Sequence, residues 1–358
     1  MLGTLWRPPL PGACRKCQLA PPPMAAMLKF METRKLVTLT EFGGPDVMVW
    51  EEAPCPRPGP GEVLVAVDAI GVNFADTMVR RGEYRRDQQL SFIPGFEVSG
   101  RVVEGPPDGP AVGSRVIVFM ENGGGYADMV VAPAANVYPV LEGISDALAA
   151  GLFSQGVTAW YAVHRYSHFK EGETVLVHAA AGGLGSLCVQ LCAGIGVEVI
   201  ASASTPAKLD IATGHGASKT LLANPETLTA EVRELTEGRG VDVIIDGVGG
   251  DLFTPSLRAL AYGGRYIVVG SASQQPAMLD VRSLMPRDQS VCGFIVARVA
   301  EQDAREPALA VEQVQQALLS GDLRSELAVM PATEVARAHE MIESRQLTGK
   351  IVVTFDRD

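Results

Sequence analysis

The chain has 358 residues, of which 47% are hydrophobic and 20% are charged, and its formal net charge is −11. This length is enough for two domains, and the composition excludes a wholly disordered chain. The negative charge argues against binding to nucleic acid, which requires concentrated positive charge, and provides no general attraction to an anionic membrane. We therefore expect neither nucleic acid nor a membrane as a partner.

Residues 1–31 differ from the rest of the chain because they contain four basic residues, no acidic residue and several prolines. A mitochondrial transit peptide is also basic and poor in acidic residues, but it forms an amphipathic helix that Pro8, Pro9 and Pro11 would oppose. We expect a disordered extension here, with a transit peptide as the alternative. The six cysteines are scattered along the chain, which favours a reducing compartment and hence the cytoplasm.

Short apolar runs alternate with Gly and Pro turns from Arg34 to Val140, for example GEVLVAVDAIGV, GSRVIVFM and YADMVVAP. Closely spaced short strands of this kind predict a compact all-β unit. Ser145 follows as a predicted helix N-cap for DALAAGLF, and GVTAWYAVHRY predicts further helix.

From Glu173 the pattern changes to alternating strands and helices. The predicted strands are ETVLVHA, VEVIASA, VDVIIDG and GRYIVVG; GSLCVQLCAGI and TPAKLDIATGHG are predicted helices, and DLFTPSLRALAYGG separates the last two strands. Val/Ile runs separated by helices predict a parallel sheet covered on both faces. Near the C-terminus we expect helices at 308–319 and 333–344 and a last strand in GKIVVTF.

A glycine cluster follows the first of these strands, in TVLVHAAAGGLGSLCVQL. Ala180, Gly182 and Gly185 keep the spacing of the G-x-G-x-x-G fingerprint, with alanine in the first position. Such a turn directs backbone N–H groups and the positive end of a helix toward a pyrophosphate; a side chain at Gly182 would block that approach, and Gly185 allows close packing. Because strand, turn, helix and second strand fall within about 30 residues, we predict a dinucleotide site that also includes Gly183 and Leu184.

The second strand ends in VIASASTPAK, which contains no carboxylate. In an NAD site an acidic side chain at this point holds the ribose hydroxyls. Here Ser202 and Ser204 can donate hydrogen bonds and Lys208 adds positive charge, a set that suits a 2′-phosphate. We therefore predict NADP(H); the alternative is that Lys208 is only a solvated helix residue.

Five motifs together resemble the zinc-independent quinone oxidoreductase branch of the medium-chain dehydrogenase/reductase superfamily: GVNFADTMVRRGEY, PGFEVSGRV, VTAWYAV, VHAAAGGLGSLCVQLC and TGKIVV. The resemblance implies an α/β fold in which a Rossmann doubly wound parallel sheet is inserted in a GroES-like, partly open β-barrel catalytic domain. The implied GroES-like domain comprises residues 32–152 plus 297–358, and the implied Rossmann domain comprises residues 153–296. The resemblance also implies hydride transfer from NADPH and a homodimer.

The resemblance bears on metal binding as well. Zinc alcohol dehydrogenases of this superfamily carry a cysteine where this chain has Asn73, and G-H-E where it reads Gly95-Phe96-Glu97. Neither Asn nor Phe is a plausible zinc ligand, so we expect no metal. Without a Lewis acid to polarise an alcohol or a ketone, the acceptors that remain are quinones and C=C bonds conjugated to a carbonyl.

The motif GVNFADTMVRRGEY supplies three catalytic candidates by resemblance. Asn73 matches a position near the nicotinamide or the substrate, so it is a candidate contact for both. Asp76 lies three residues later, and a structural cap is its alternative role. Tyr84 is the candidate to bind a substrate oxygen or donate a proton, with simple packing as the alternative. Met78 stands where family members often have a second tyrosine.

Further cofactor contacts are implied by position. Thr158 resembles a residue near the carboxamide or the phosphates, and Val248 and Gly270 end strands at the carboxyl edge of the sheet, where a dinucleotide lies. Phe294 is expected to pack beside the nicotinamide through its backbone neighbours. Lys350 matches a position close to the cofactor, with a turn lysine as the alternative.

The sequence thus predicts an NADPH-dependent, zinc-free enzyme that transfers hydride to a quinone or an α,β-unsaturated carbonyl by holding the acceptor against the nicotinamide. Reduction of an enoyl thioester is an alternative within the same class. A protein that binds NADPH without catalysis, in a structural or regulatory role, is the alternative from a different class.

Overall fold

The computed structural model describes residues 32–84, 89–302 and 305–356. The predicted extension at residues 1–31, and with it the transit-peptide alternative, lies outside these residues. Across the described ranges, the helices are all too short or too polar to cross a membrane.

The strands are β1 (Thr33–Val37), β2 (Trp50–Pro54), β3 (Glu62–Val72), β4 (Glu97–Glu104), β5 (Arg115–Phe119), β6 (Met129–Pro133), β7 (Val137–Pro139), β8 (Thr174–Val177), β9 (Glu198–Ala203), β10 (Lys219–Leu222), β11 (Val241–Asp246), β12 (Leu260–Val268), β13 (Ser290–Gly293), β14 (Leu327–Pro331) and β15 (Lys350–Thr354). The helices are α1 (Phe74–Arg80), α2 (Asp146–Ala150), α3 (Thr158–Tyr161), α4 (Gly183–Gly194), α5 (Pro206–Gly214), α6 (Leu228–Leu235), α7 (Phe253–Ala259), α8 (Val296–Gln302), α9 (Arg305–Ser320) and α10 (Val335–Glu343). A π-helical turn adjoins each end of α3.

Six strands form one sheet in the order β10-β9-β8-β11-β12-β13, and every neighbouring pair is parallel. The chain begins in the middle at β8, proceeds outward through β9 and β10, and then returns to the other side of β8 for β11. This is the Rossmann strand order, and its direction reverses between β8 and β11. The predicted doubly wound sheet is therefore confirmed, and its switch point lies at the carboxyl ends of these two strands.

Burial explains why the central strands of this sheet are apolar throughout. All residues of β8 are buried, because helices cover both faces of the sheet. Val175 and Val177 belong to one core cluster, whereas Leu176 between them belongs to another with Ile200 of β9. The alternation follows the period of two along a strand.

A second sheet of seven strands has the order β14-β15-β3-β4-β5-β7, with β6 also pairing with β3. The last strand, β15, comes from the C-terminal part of the chain and pairs antiparallel with β3, where Ile351 lies opposite Val72. On the other side of β3, Gly71 lies opposite Glu97 of β4. This register brings the start of β15, the end of β3 and the start of β4 to one point of the sheet. The predicted GroES-like part of the fold is confirmed.

Helix α9 packs on the core of the parallel sheet. Its Val311 and Val314 are buried in the cluster that contains Val175 and Val177. A Cβ atom added at Gly156 would lie 2.9 Å from a methyl group of Val314, so this glycine allows the helix to approach. The predicted boundaries at 152/153 and 296/297 stay a prediction.

The predicted helices and strands correspond to structure with a few differences. Ser145 caps α2, since its hydroxyl accepts a hydrogen bond from the N–H of Leu148 at 3.2 Å. The segment DLFTPSLRALAYGG divides between α7 and the first residues of β12. Five short strands, β2, β7, β10, β13 and β14, have no counterpart among the predicted strands.

Candidate active site

The glycine turn follows β8 and begins α4. The N–H of Ala180 donates to the carbonyl of Ser202 at 3.1 Å, which fixes the turn against the end of β9. Ala179 has a φ of +49°, so the turn reverses direction there without a glycine. The first residue of α4 is Gly183, and no side chain caps the helix. Its first N–H groups are therefore oriented for an external acceptor such as a phosphate.

One glycine of the turn has no room for a side chain. A Cβ atom at Gly185 would lie 2.3 Å from the carbonyl oxygen of Ala179, which is backbone and cannot move aside. At Gly182 the nearest atom would be the same carbonyl at 3.2 Å. Gly185 thus has the packing role that its place in the motif predicts. At Gly183 the Cβ would meet the amide group of Gln155 at 2.1 Å, the end of a flexible side chain that can turn away.

The turn is joined directly to the other sheet. Gly182 and Gly349 form an isolated parallel β-bridge, and Lys350 follows Gly349 as the first residue of β15. The dinucleotide fingerprint and the Lys350 region are therefore neighbours in space, although more than 160 residues separate them in sequence.

Asp246 shapes the loop after β11. Its carboxylate accepts hydrogen bonds from the N–H groups of Val248 and Gly249 and, at 2.6 Å, from the hydroxyl of Tyr266. The backbone N–H of Val248 is thus used within the protein. Gly270, two residues after the end of β12, lies so close to Gly247 that a Cβ atom would be 3.1 Å from the Gly247 carbonyl. The loop ends of β11 and β12 meet at the carboxyl edge of the sheet.

A pair of basic side chains lies beyond the end of β9. Lys208, in the first turn of α5, donates from its ammonium to the carbonyl oxygen of Arg345 at 2.6 Å. The guanidinium of Arg345 in turn donates to the carbonyl of Ala272 at 3.1 Å, and Arg345 has a φ of +56°. Ser204 is exposed at the start of this region, whereas Ser202 is fully buried.

Three polar side chains meet at the junction of β3, β4 and β15. The ammonium of Lys350 donates to Oδ1 of Asn73 and to Oε1 of Glu97, each at 2.6 Å. Nδ2 of Asn73 also donates to Oε1 of Glu97 at 3.0 Å, and the other carboxylate oxygen accepts from the N–H of Ser154 at 2.8 Å. The side chains of Lys350 and Glu97 are completely buried. Lys350 is therefore a buried strand residue and not a turn lysine.

Asp76 lies beneath this cluster, with no exposed surface. Its carboxylate accepts a hydrogen bond from the N–H of Asn73 at 2.8 Å and so caps the start of α1. Burial raises the pKa of Asp76 to about 7; the hydrogen bond from Asn73 and the charge of Lys350 act in the opposite direction, and the charge of Glu97 adds to the rise. In this position Asp76 holds the backbone in place beneath the site.

A buried network extends from Asp76 toward α10. The hydroxyl of Tyr126 lies 2.8 Å from Nε2 of His339, and burial together with the nearby charge of Asp76 raises the pKa of Tyr126. Burial also lowers the pKa of His339 to about 3, helped by the charges of Arg80 and Arg81. The imidazole is thus neutral at physiological pH, and the network is a structural link between α1 and α10.

The remaining predicted residues lie around these groups. The Tyr84 ring packs on Phe96 with centroids 5.2 Å apart, and Tyr84 directly precedes residues 85–88, which lie outside the described ranges. Thr158 is buried in α3. Phe294 stacks on Tyr166 at 4.2 Å, and Leu184 lies beside Gly247.

Two residues of the site were not among the predicted ones. Glu97 belongs to the motif Gly95-Phe96-Glu97, from which the sequence predicts only the lack of zinc ligands, although a carboxylate in an apolar run, PGFEVSG, indicates a buried charge in need of a partner. Arg345 has no such signal, since it is 137 residues from Lys208 in sequence. Within the described ranges, no three His, Cys, Asp or Glu side chains are grouped so that they could hold a metal ion.

Comparison with known proteins agrees with this architecture. A family model described as an alcohol dehydrogenase GroES-like domain matches residues 59–142, and one described as a zinc-binding dehydrogenase matches residues 183–313. The quinone oxidoreductase-like protein 2 homolog of Nematostella vectensis is 32% identical over 323 residues, which cover 89% of this chain and 88% of that protein. The 2-haloacrylate reductase of a Burkholderia species is 34% identical over 324 residues, covering 87% of this chain and 96% of that protein.

Among solved structures, the quinone oxidoreductase of Escherichia coli complexed with NADPH superposes with a TM-score of 0.84 at 27% identity, covering 89% of this chain and 99% of that one. The chain belongs to the medium-chain dehydrogenase/reductase superfamily. Within that superfamily of oxidoreductases, it is a member of the quinone oxidoreductase branch, as the sequence motifs predict.

Substitution of Gly185 by alanine should destabilise the protein, because the new Cβ would lie 2.3 Å from the carbonyl oxygen of Ala179. We expect a loss of about 1–3 kcal/mol in the free energy of unfolding, measured by urea denaturation. Gly194→Ala is the matched control in the same helix, because no atom lies within 4 Å of its added Cβ. It should be neutral or stabilise by up to about 1 kcal/mol. Equal effects of the two substitutions would contradict the steric argument.

The buried carboxyl of Asp76 should make stability depend on pH. Because its pKa is raised to about 7 in the folded protein and is about 3.9 in an unfolded chain, the folded state binds the proton more tightly. The stabilisation from this group is therefore present at low pH and is lost as pH rises from about 4 to about 7, by at most about 1.4 kcal/mol per pH unit. The difference in unfolding free energy between the wild type and Asp76→Asn should follow this slope in urea titrations; a difference independent of pH would refute the assignment.

Proposed function

We propose that the protein is an NADPH-dependent reductase that transfers hydride to a quinone or an α,β-unsaturated carbonyl without a metal ion. The observation that carries this proposal is the bridge between Gly182 and Gly349, which places the dinucleotide turn directly beside the Asn73–Glu97–Lys350 cluster. A cofactor that spans the turn would thus have its reactive end near Asn73. The NADPH complex of the Escherichia coli relative supports the choice of cofactor.

The residues of this chain fit NADPH at two points. The uncapped start of α4 provides backbone N–H groups and the positive end of the helix dipole for the pyrophosphate. Lys208 and Arg345, with Ser204 beside them, supply positive charge and hydrogen bonds for a 2′-phosphate, at the point where an NAD site would carry a carboxylate. When bound, NADPH supplies the hydride.

The acceptor would be bound by groups near the start of α1. Asn73 retains 8% exposure as a residue, whereas the side chains of Lys350 and Glu97 have none. We assign Asp76 a positioning role, since its carboxylate holds the backbone of Asn73. Tyr84 is proposed to donate a hydrogen bond or a proton to the carbonyl oxygen of the acceptor, and Phe96 packs against its ring.

The donor set argues for catalysis without zinc. Asn73 and Phe96 stand at two positions where zinc-dependent members have ligands, and neither is a zinc ligand of the usual kind. The Asn73 and Glu97 oxygens also already accept hydrogen bonds from the Lys350 ammonium. A metal ion there would have to displace a buried positive charge.

The acceptor class follows from the relatives as well as from the site. One relative is named a 2-haloacrylate reductase, whose substrate name describes a C=C bond conjugated to a carboxyl group, and others are named quinone oxidoreductases. Both kinds of acceptor take hydride without activation by a metal.

We also propose that the protein is a homodimer. Strand β13 ends the parallel sheet, and Met278, Val281 and Met285 before it are exposed. We propose the cytoplasm as its compartment, because the scattered cysteines suit a reducing environment.

The basic pair should set the preference for NADPH over NADH. Lys208→Met and Arg345→Met should each raise the Kd for NADPH about tenfold or more, since a hydrogen bond to a charged group contributes about 1.5–3 kcal/mol. The Kd for NADH should not change, because NADH lacks the 2′-phosphate. Both constants are measured by fluorescence titration, with Lys219→Met as a control for loss of a lysine elsewhere on the sheet. Equal weakening for both cofactors would show that the pair does not contact the 2′-phosphate.

A panel of acceptors tests the function itself. Purified protein with NADPH is assayed against a naphthoquinone, an enal, an enone and an enoyl thioester, with and without a chelator. We expect turnover of a quinone or a conjugated carbonyl, no effect of the chelator, and a drop in kcat of about tenfold or more in Tyr84→Phe. NADPH binding without turnover of any acceptor would support a structural or regulatory role instead.

A further inference from the structure

Asn73 is the N-cap residue of α1 and forms a capping box with Asp76. An asparagine at this position normally accepts a hydrogen bond from the second or third N–H of the helix. Here the N–H of Asp76 donates to the backbone carbonyl of Asn73 at 3.1 Å, and the Asp76 carboxylate accepts from the N–H of Asn73. The Asn73 side chain is in addition held by the cluster with Glu97 and Lys350.

The partners of the amide fix its orientation. Nδ2 of Asn73 donates to Oε1 of Glu97 at 3.0 Å and to the carbonyl of Gly71 at 3.3 Å, so both of its hydrogens have acceptors. Oδ1 accepts from the ammonium of Lys350. A reversed amide would place its NH₂ group against an ammonium and its oxygen against a carboxylate. The two charges thus select one orientation, in which the Nδ2 hydrogens are used within the protein and any further hydrogen bond to a ligand would be accepted by Oδ1.

The surrounding backbone leaves space for the charged side chains of the cluster at two glycines. A Cβ atom at Gly71 would lie 2.1 Å from the carbonyl oxygen of Ala150 and 2.8 Å from Cγ of Glu97, and one at Gly151 would lie 2.9 Å from Cγ of Lys350. Gly151 therefore makes room for Lys350, and Gly71 makes room for Glu97 as well as for the backbone of Ala150. The N–H of Ser154 holds the second oxygen of Glu97. Neither charged side chain has exposed surface, so neither can contact a ligand directly, whereas Asn73 can.

We propose that Lys350 and Glu97 are positioning residues that hold the Asn73 amide so that it presents an oxygen acceptor, and not an N–H donor, to the nicotinamide end of the cofactor. The matching group is an N–H or O–H donor of the nicotinamide nucleoside. The inference rests on the proposed function for the identity of the cofactor. It assigns Lys350 a role through Asn73 in place of the direct cofactor contact that the sequence suggests.

A binding cycle tests this coupling. Glu97→Gln/Lys350→Met removes both charges together, which avoids a single unpaired buried charge, and Asn73→Ala removes the amide. Each should raise the Kd for NADPH, measured by fluorescence titration, by about tenfold, the effect of one lost hydrogen bond to the cofactor. The triple variant should be no weaker than Asn73→Ala, because the pair acts only through Asn73. Losses that multiply to about a hundredfold, or a pair variant that binds like the wild type, would overturn the proposal.

Two further variants separate positioning from loss of structure. Asn73→Asp/Glu97→Gln exchanges the carboxylate and the amide, so the net charge, the partner of Lys350 and the acceptor at position 73 are all retained. It should bind NADPH within about threefold of the wild type, whereas Asn73→Asp alone, with two adjacent carboxylates, should bind weakly. Failure of the exchange to rescue binding in a folded protein would contradict the proposal. Glu198→Gln/Lys219→Met, a pair with partly exposed side chains between β9 and β10, is the matched control and should not change binding.

The binding readout keeps this test distinct from the test of the proposed function. If the wild type reduces no acceptor, the reductase assignment fails, and the Kd cycle with NADPH still decides whether Lys350 and Glu97 act through Asn73. If turnover occurs and the cycle shows independent effects, the positioning role fails and the reductase assignment stands.

Discussion

A buried ion pair between Lys350 and Glu97 is the interaction on which the arrangement of the site depends. Two charges removed from water are stable only when their hydrogen-bonding groups are satisfied, and loss of one partner leaves a strongly unfavourable isolated charge. The pair therefore requires β15 to lie beside β3, and β3 beside β4, in one register. That register also brings Gly349 to Gly182. The same constraint therefore places the glycine turn of the parallel sheet next to the seven-stranded sheet.

The sequence predicts the central strands well because their environment is uniform. Strands β8 and β11 are covered on both faces and appear as near-continuous apolar runs, TVLV and VDVIID. The strands that it does not reveal, β2, β7, β10, β13 and β14, lie at the edges of their sheets. Each has at most one buried residue, so its side chains are mixed and no apolar run marks it. Edge position, not weak propensity, explains these omissions.

The same reasoning separates the site residues that sequence can find from those that it cannot. The glycine turn is formed by consecutive residues, since strand, turn and helix follow each other. Its sequence pattern is therefore enough to predict it. Asn73 and Lys350 are identifiable only through a family resemblance, because their contact joins residues 277 positions apart. Arg345 lies beside Lys208 through a loop with a positive φ, a conformation that its residue type does not suggest. Gln155 lies against position 183 for a similar reason: a π-helical turn distant from the motif in sequence supplies the contact.

The chemistry of the Asn73 cluster bears on which acceptors the enzyme can reduce. A metal ion can accept a lone pair from a substrate oxygen and polarise it, whereas the Lys350 ammonium is fully buried and its hydrogen bonds are directed at Asn73 and Glu97. It stabilises charge within the protein and cannot act as a Lewis acid on the substrate. Under the proposed metal-free function, the electron demand comes from the acceptor itself, as it does in a quinone or in a C=C bond conjugated to a carbonyl. On this proposal, a simple ketone should be reduced far more slowly than an enone in the same assay, because the Lys350 ammonium cannot reach the alkoxide that forms and its protonation would fall to Tyr84.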